Sequence, residues 1–389
     1  MENKKETEST VIGRKRFLEW TISAAAGLAV SSFPNVSFAG TRIFTLKANT
    51  LAACQTISPL EMAQGSDMVR NAYFYITKTV NEIMDINLRN TVAGIIANPA
   101  PTFMNRYMDR DSRKSIWQRL TDAGLLDHGV SSDSLFPPYK DPNESPQQFI
   151  SAPGSGYDSH HPYPGGLSAH VATNIKITLS LYQTYNQIFA YKVDKDVILA
   201  AQALHDLHKP WVFQWQDNDS SLPELIIAGT GAHHIFSLAE VMYRALPAKV
   251  IIAQACAHNH PGSPQGEADV VRWLTAASMI AGKDPVKEGY LARGGRTLPE
   301  PYQQEGYIVH LGDHDWVLSV TAAQETIAVL AKIARKEYGL PANELKTRRF
   351  HSFRNYVASQ ISMMNLHHLL CTGGETAVAE AVRKVVSPA

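Results

Sequence analysis

Cysteine is scarce: Cys54, Cys256 and Cys371 are the only three in 389 residues. So sparse and odd a set excludes a disulfide framework, even for a chain that leaves the cell. A charge bias is missing too. Lys plus Arg number 36 and Asp plus Glu number 36, so no broad field draws the chain to nucleic acid or to an anionic membrane. There is no internal repeat and no low-complexity tract, which excludes a solenoid array. Long apolar runs are absent from the first forty residues. The run from Trp20 to Val30 is too short to span a bilayer, and Pro34 and Asn35 interrupt any extension.

What precedes and follows that short run gives it a meaning. Arg14-Lys15-Arg16-Phe17-Leu18 leads into it, and Ser37-Phe38-Ala39 offers small residues for cleavage. This resembles a twin-arginine signal, with Lys15 where the second arginine is usual. Residues 1–39 are therefore expected to be an export signal read by the twin-arginine machinery, with a periplasmic destination and no membrane span after cleavage. A general secretory signal or an uncleaved anchor are the alternatives. Leu51-Ala52-Ala53-Cys54 imitates a lipoprotein box, but Arg42 and Lys47 break the apolar run such a box needs.

The rest divides by composition. Residues 40–150 read as a helical region closed by a loop: Met62–Ile96 is helical in period, Asp111–Leu126 is a shorter amphipathic helix, and 132–156 is rich in Ser, Pro, Gly and Asp. Residues 151–290 carry most of the histidines. Residues 291–389 read as a C-terminal helical region with helices over Ala322–Tyr338, Phe350–Leu370 and Ala377–Val386, preceded by a short strand at Tyr307–His310. The fold class expected is all-α.

The chemistry centres on Ala203–Trp211, ALHDLHKPW. Val197, Ile198, Ala201 and Leu204 recur at helical spacing, Asp194 is a plausible N-cap and Pro210 marks the expected stop. A buried face beside His205, Asp206, His208 and Lys209 is unusual, because buried charge is costly unless it is paired or bound to a metal. Histidine and carboxylate suit zinc, iron, manganese, cobalt or nickel. More histidines flank this stretch: HHPYPGGLSAH at 160–170, AHHIFSLAE at 232–240 and CAHNHPGSP at 256–264. His234 shares a helix face with Leu238, Val241 and Ala245, while His233 lies about 100° away and is expected to be a neighbour rather than a ligand.

Together these stretches resemble the HD-domain superfamily of metal-dependent phosphohydrolases, and within it members with an HHxYPGGLxxH entry motif. The likeness covers roughly residues 155–290. It implies a helical bundle in which His170 is the first ligand, His205 and Asp206 are the namesake pair, and His234 and His258 are the later histidines. It implies that Asp206 bridges two metals, with His170 and His205 on one ion and His234 and His258 on the other. Two ions about 3.5–4 Å apart can clamp an in-line phosphoryl displacement. A single ion on His170, His205 and Asp206 is the other possibility. Lys209 matches the family's phosphate-neutralising lysine, with His208 where a glycine is usual. His160 and His161 match residues that line the substrate pocket or polarise a leaving group; His161 is the catalytic candidate. The final aspartate of the family is Ser278 here, and Asp313 or Asp315 would have to fold back to replace it. His314-Asp315 is otherwise read as a decoy, and Cys256 as a small buried residue rather than a soft ligand.

The function expected is an exported metal-dependent phosphohydrolase, using one or two divalent transition ions on a small phosphorylated substrate: a monoester, diester or nucleotide. The alternatives are a di-iron oxygenase, since some relatives of this fold cleave C–P or C–C bonds with a mixed-valent iron pair, and a degenerate domain that binds ligand without turnover.

Overall fold

The computed structural model describes residues 44–127, 129–300 and 304–388. The expected export signal at 1–39 lies outside the described residues. The chain is all-α, and β structure among the described residues is limited to two-residue strands, Asn49–Thr50 paired with Val386–Ser387 and Ile226–Ile227 paired with Thr230–Gly231, and to isolated bridges of Leu126 with Ile227 and Trp215 with Ser221.

Local sequence sets the helix ends. Asp194 accepts from the backbone N–H groups of Asp196 and Val197 and so starts the helix Lys195–Leu204. Ser58 and Glu61 form a capping box at Pro59–Gly65. The single periodic stretch expected over 62–96 is three helices, Pro59–Gly65, Asp67–Val80 and Ile86–Ala97. Ser66 and Asp85 interrupt the period by capping new helices with their own side chains.

The helix Gly166–Phe189 is the spine of the molecule. It packs against Asp67–Val80, Lys195–Leu204 and Glu305–Gly312. The last of these corrects the expected strand at Tyr307–His310. Three apolar residues in a row do not distinguish the two periods, and packing decides: Ile308 and Val309 are buried in the main core. Gly312 is required there, because a Cβ would stand 1.9 Å from Thr178 Oγ1 on the spine. This tight crossing delivers Asp313 to the interior.

Two apolar clusters result. The larger draws residues from Ile76 to Val309, on both sides of positions 150 and 290. Behind the site, Phe103, Phe136, Trp211 and Phe236 form a ring-on-ring wall with centroids 5.0–6.4 Å apart. Such pairs contribute about 0.5–1.5 kcal/mol each beyond their area. The smaller cluster joins the helices Trp316–Glu337, Arg348–Ile361 and Met363–Val385 to Leu51, Cys54 and Met62. Glu305–Glu337 is long and apolar enough to cross a membrane by length and composition. It is nonetheless two helices, and Ile308, Val309, Ala322, Ala323 and Leu330 on it are buried in these clusters.

Candidate metal centre

The site forms where five helix ends meet. The helix Lys195–Leu204 stops six residues before Pro210, which instead sits in the first turn of the short helix Lys209–Val212. Adjacent side chains on a regular helix point about 100° apart. Because residues 205–208 are turns, His205 and Asp206 both face inward. His170 comes from the first turns of Gly166–Phe189. Gly165 starts that helix with φ 91°, and a Cβ on Gly166 would meet the His161 carbonyl at 1.9 Å; the two glycines let the 154–166 loop fold onto the site. His258 lies just beyond the helix Ala248–Ala255, and Asp313 just beyond Glu305–Gly312.

Asp206 is at the centre and fully buried. Its Oδ2 is 3.1 Å from His170 Nε2 and 3.2 Å from His205 Nε2. Its Oδ1 is 3.2 Å from His233 Nε2 and 3.6 Å from His258 Nε2. Asp313 repeats the division. Its Oδ1 lies 3.3 Å from both His170 and His205 Nε2, and its Oδ2 lies 3.3 Å from His258 Nε2. Each carboxylate thus offers one oxygen to a His170–His205 set and the other to a set containing His258.

The imidazoles are held as metal ligands are. His205 Nδ1–H donates to the Gln202 carbonyl at 2.7 Å, which leaves Nε2 as the nitrogen facing Asp206 and Asp313. His233 Nδ1–H donates to Glu224, again leaving Nε2 inward; a carboxylate behind a histidine fixes its tautomer and raises its basicity. His234 Nδ1 is 2.6 Å from Thr230 Oγ1, and its ring stacks on that of His258 at 3.4 Å between centroids. Asn174, one turn beyond His170, donates to Asp313 Oδ1 at 2.5 Å and holds that carboxylate in place.

Both oxygens of Asp206 and Nε2 of His233 are buried without a partner in hydrogen-bonding geometry. Lys209 pairs its charge with Oδ2, but unsatisfied hydrogen-bonding capacity on a buried carboxylate remains expensive, and imidazole nitrogens face both oxygens. The donor set therefore fits a cation: Asp206, His233, His234 and His258 form one group with ligand atoms within 4.8 Å of one another, and His170, His205 and Asp313 form another.

The electrostatics of the two groups differ. Burial opposes protonation of His170 and His205, yet Asp206 and Asp313, joined at His170 by Asp315, outweigh it and push the rings up to about 10 and about 9. Burial holds His234 well below its usual range, with the neighbouring His233 and His258 adding to it, and burial also lowers His258. Asp206 and Asp313 are held well below the usual carboxylate range, since the His205 charge more than offsets their burial.

All five residues expected as ligands, His170, His205, Asp206, His234 and His258, meet here. Two more join them. His233 was expected to be a neighbour, but at the first turn of the helix Ala232–Tyr243 it turns inward beside His234, and Glu224 behind it aims the ring. Asp313 stands where Ser278 was expected to leave a gap; Ser278 is buried elsewhere, with its Oγ 3.5 Å from Met242 Sδ. The His314-Asp315 dipeptide is not wholly a decoy, because Asp315 Oδ2 is 2.6 Å from His161 Nε2. That contact, with Tyr163 OH 3.3 Å from Nδ1, occupies both nitrogens of His161. His161 also has φ 49°, a strained conformation of the kind found at functional sites. Lys209 Nζ lies 2.5 Å from Asp206 Oδ2, donates to the Gly154 carbonyl and is 3.1 Å from His160 Nε2. His208 points away from the site, toward Glu240 and the rings of Phe103 and Trp211. Cys256 packs against Gly306 and its thiol is pushed up to about 12 by burial.

No family model matches the chain, and no solved structure does so. Among curated proteins, the chain is similar to dihydroneopterin 2′,3′-cyclic phosphate phosphodiesterase of Methanocaldococcus jannaschii. The two are 25% identical over 205 residues, which span 52% of this chain and 67% of that protein.

Proposed function

We propose that the chain is a metal-dependent phosphohydrolase of the HD type that acts on a small phosphodiester or phosphate ester. The observation that carries this is the division of Asp206 and Asp313, each with one oxygen toward His170 and His205 and the other toward His258. Two carboxylates so shared between two imidazole sets favour two divalent ions over one. The likeness to a phosphodiesterase supports the same chemistry.

His170, His205, Asp206 and Asp313 would hold one ion, and His233, His234 and His258 with the same two carboxylates the other. Bound ions of this kind supply an activated water and neutralise charge on a phosphoryl group. Lys209, which donates to the Gly154 carbonyl, lies beside His160 and pairs its charge with Asp206, is placed to neutralise a non-bridging oxygen of the substrate at the His160 side. His161 positions Asp315 against His170 rather than reaching the leaving group itself. The degenerate-domain alternative rested on Ser278 and His208; the position of Asp313 beside His170, His205 and His258 supports the enzyme reading against the first of these.

Export of the folded protein through the twin-arginine route belongs to the same proposal. It is supported by the Arg14–Leu18 pattern and by the need to load a buried centre before translocation. The test of the activity is hydrolysis by protein loaded in turn with manganese, iron, cobalt and zinc. Substrates are a 2′,3′-cyclic phosphate, a linear diester and a monoester. Turnover of at least one ester, absent from Asp206→Ala, is expected. A fully loaded protein that hydrolyses none of them overturns the reading.

A further inference from the structure

A second cluster of ligand-type side chains lies on the C-terminal helix pair, among residues that take no part in the buried centre. The helices Trp316–Glu337 and Met363–Val385 pack against each other. His367 and Cys371 are one turn apart on the second and so share a face. Cys371 Sγ is 3.5 Å from His367 Nε2. From the first helix, Glu325 Oε2 is 3.1 Å from the same nitrogen. Sequence spacing alone gave His367 no partner, because Glu325 arrives from another helix.

Thiolate, imidazole and carboxylate together are a zinc donor set. The two separations to His367 agree with that ion, while Glu325 and Cys371 stand farther apart than the 4.8 Å that unites the ligand groups of the buried centre. For Zn–S of about 2.3 Å and Zn–N and Zn–O of about 2.0–2.1 Å at tetrahedral angles, sulfur and nitrogen stand about 3.6 Å apart and nitrogen and oxygen about 3.3 Å apart. The observed 3.5 and 3.1 Å are close to both. Cys371 is exposed, so an ion reaches it. The Glu325 side chain, 53% exposed, has room to turn toward the sulfur and complete the set.

We propose that Glu325, His367 and Cys371 form a surface site for a divalent ion of the zinc class, with its fourth position open to water. This stands apart from the phosphohydrolase reading and uses none of its residues.

Cobalt(II) is the probe, titrated into the full chain in a thiol-free reductant. A thiolate-to-cobalt charge-transfer absorption reports sulfur coordination. The other two thiols, Cys54 and Cys256, are buried and pushed up to about 12 by that burial, and the buried centre contains no sulfur ligand. The expected result is a charge-transfer band that zinc abolishes, that is missing from Cys371→Ser and from His367→Ala, and that persists in Asp206→Asn. No band in the parent chain, or a band that survives either Cys371→Ser or His367→Ala, overturns the proposal. Circular dichroism of each variant shows that the exposed substitutions leave the helices intact.

Discussion

The two halves of the buried centre are built from the same residue types but differ in how tightly they hold protons. On one side His170 and His205 face Asp206 and Asp313, with Asp315 close behind His170, and are pushed up to about 10 and about 9. On the other side His233, His234 and His258 crowd around the remaining carboxylate oxygens; burial lowers His234 and His258, while Glu224 and Asp206 overcome burial and raise His233. The ratio of carboxylate to imidazole sets the difference. The first half holds protons that a metal must displace. In the second, His234 and His258 present lone pairs that are already free, and only His233 holds its proton more tightly. Metal affinity should therefore depend on pH mainly through the first half.

Removing what the halves share should do the most damage. Asp206→Ala takes an oxygen from each, and is expected to lower turnover by more than the ~100-fold that an outer-sphere change costs, together with loss of bound metal by elemental analysis. Asp313→Ala removes the second shared carboxylate and should come next. The control is Ser278→Ala, at the position where the motif places an aspartate. It loses only one O–H···S contact, so metal content should be unchanged and stability within about 1 kcal/mol in urea unfolding. If Ser278→Ala strips metal while Asp313→Ala does not, the assignment of Asp313 fails.

A narrower break separates the halves. Glu224→Gln removes the carboxylate that aims His233 and should weaken metal binding in the second half by ~10–100-fold, with the first half untouched. Calorimetric titration should then show one strong and one weakened event. Equal weakening of both would mean that the halves are not independent.

The proton difference predicts a stability profile for metal-free protein. His170 and His205 bind protons more tightly folded than unfolded. Their contribution is fully present below about pH 6.5 and is lost as the pH rises through about 9 to about 10. His234 and His258 bind protons less tightly folded. Their contribution is present above about pH 6.5 and is lost as the pH falls below it. Thermal melts should thus show an alkaline limb that His170→Gln reduces and an acid limb that it leaves alone. Metal should flatten both.

The sequence made one half of this arrangement far more legible than the other. His170, His205 and Asp206 sit in short motifs whose glycines, caps and periodicity are local, and the all-α class follows from the same periodicities. Asp313 was readable only as a candidate, since its place depends on Gly312 crossing the spine at Thr178, a contact no local pattern announces. His233 was set aside on helical geometry, an argument that holds inside a helix and weakens at its first turn, where Glu224 on the preceding loop takes over the aim of the ring. Lys209 was identified, but its three partners at Gly154, His160 and Asp206 required the folded loop. The run at Tyr307–His310 had too few residues to distinguish strand from helix until its packing was known.

The central claim is that two carboxylates bridge two imidazole sets around metal. Metal content by mass spectrometry, on protein purified from its native compartment without added metal, tests it most directly. Because the surface cluster would add an ion of its own, the Cys371→Ser variant should be measured. Two transition ions per chain, both lost in Asp206→Ala, is the result predicted. A chain that holds no metal and takes up none on titration would contradict it.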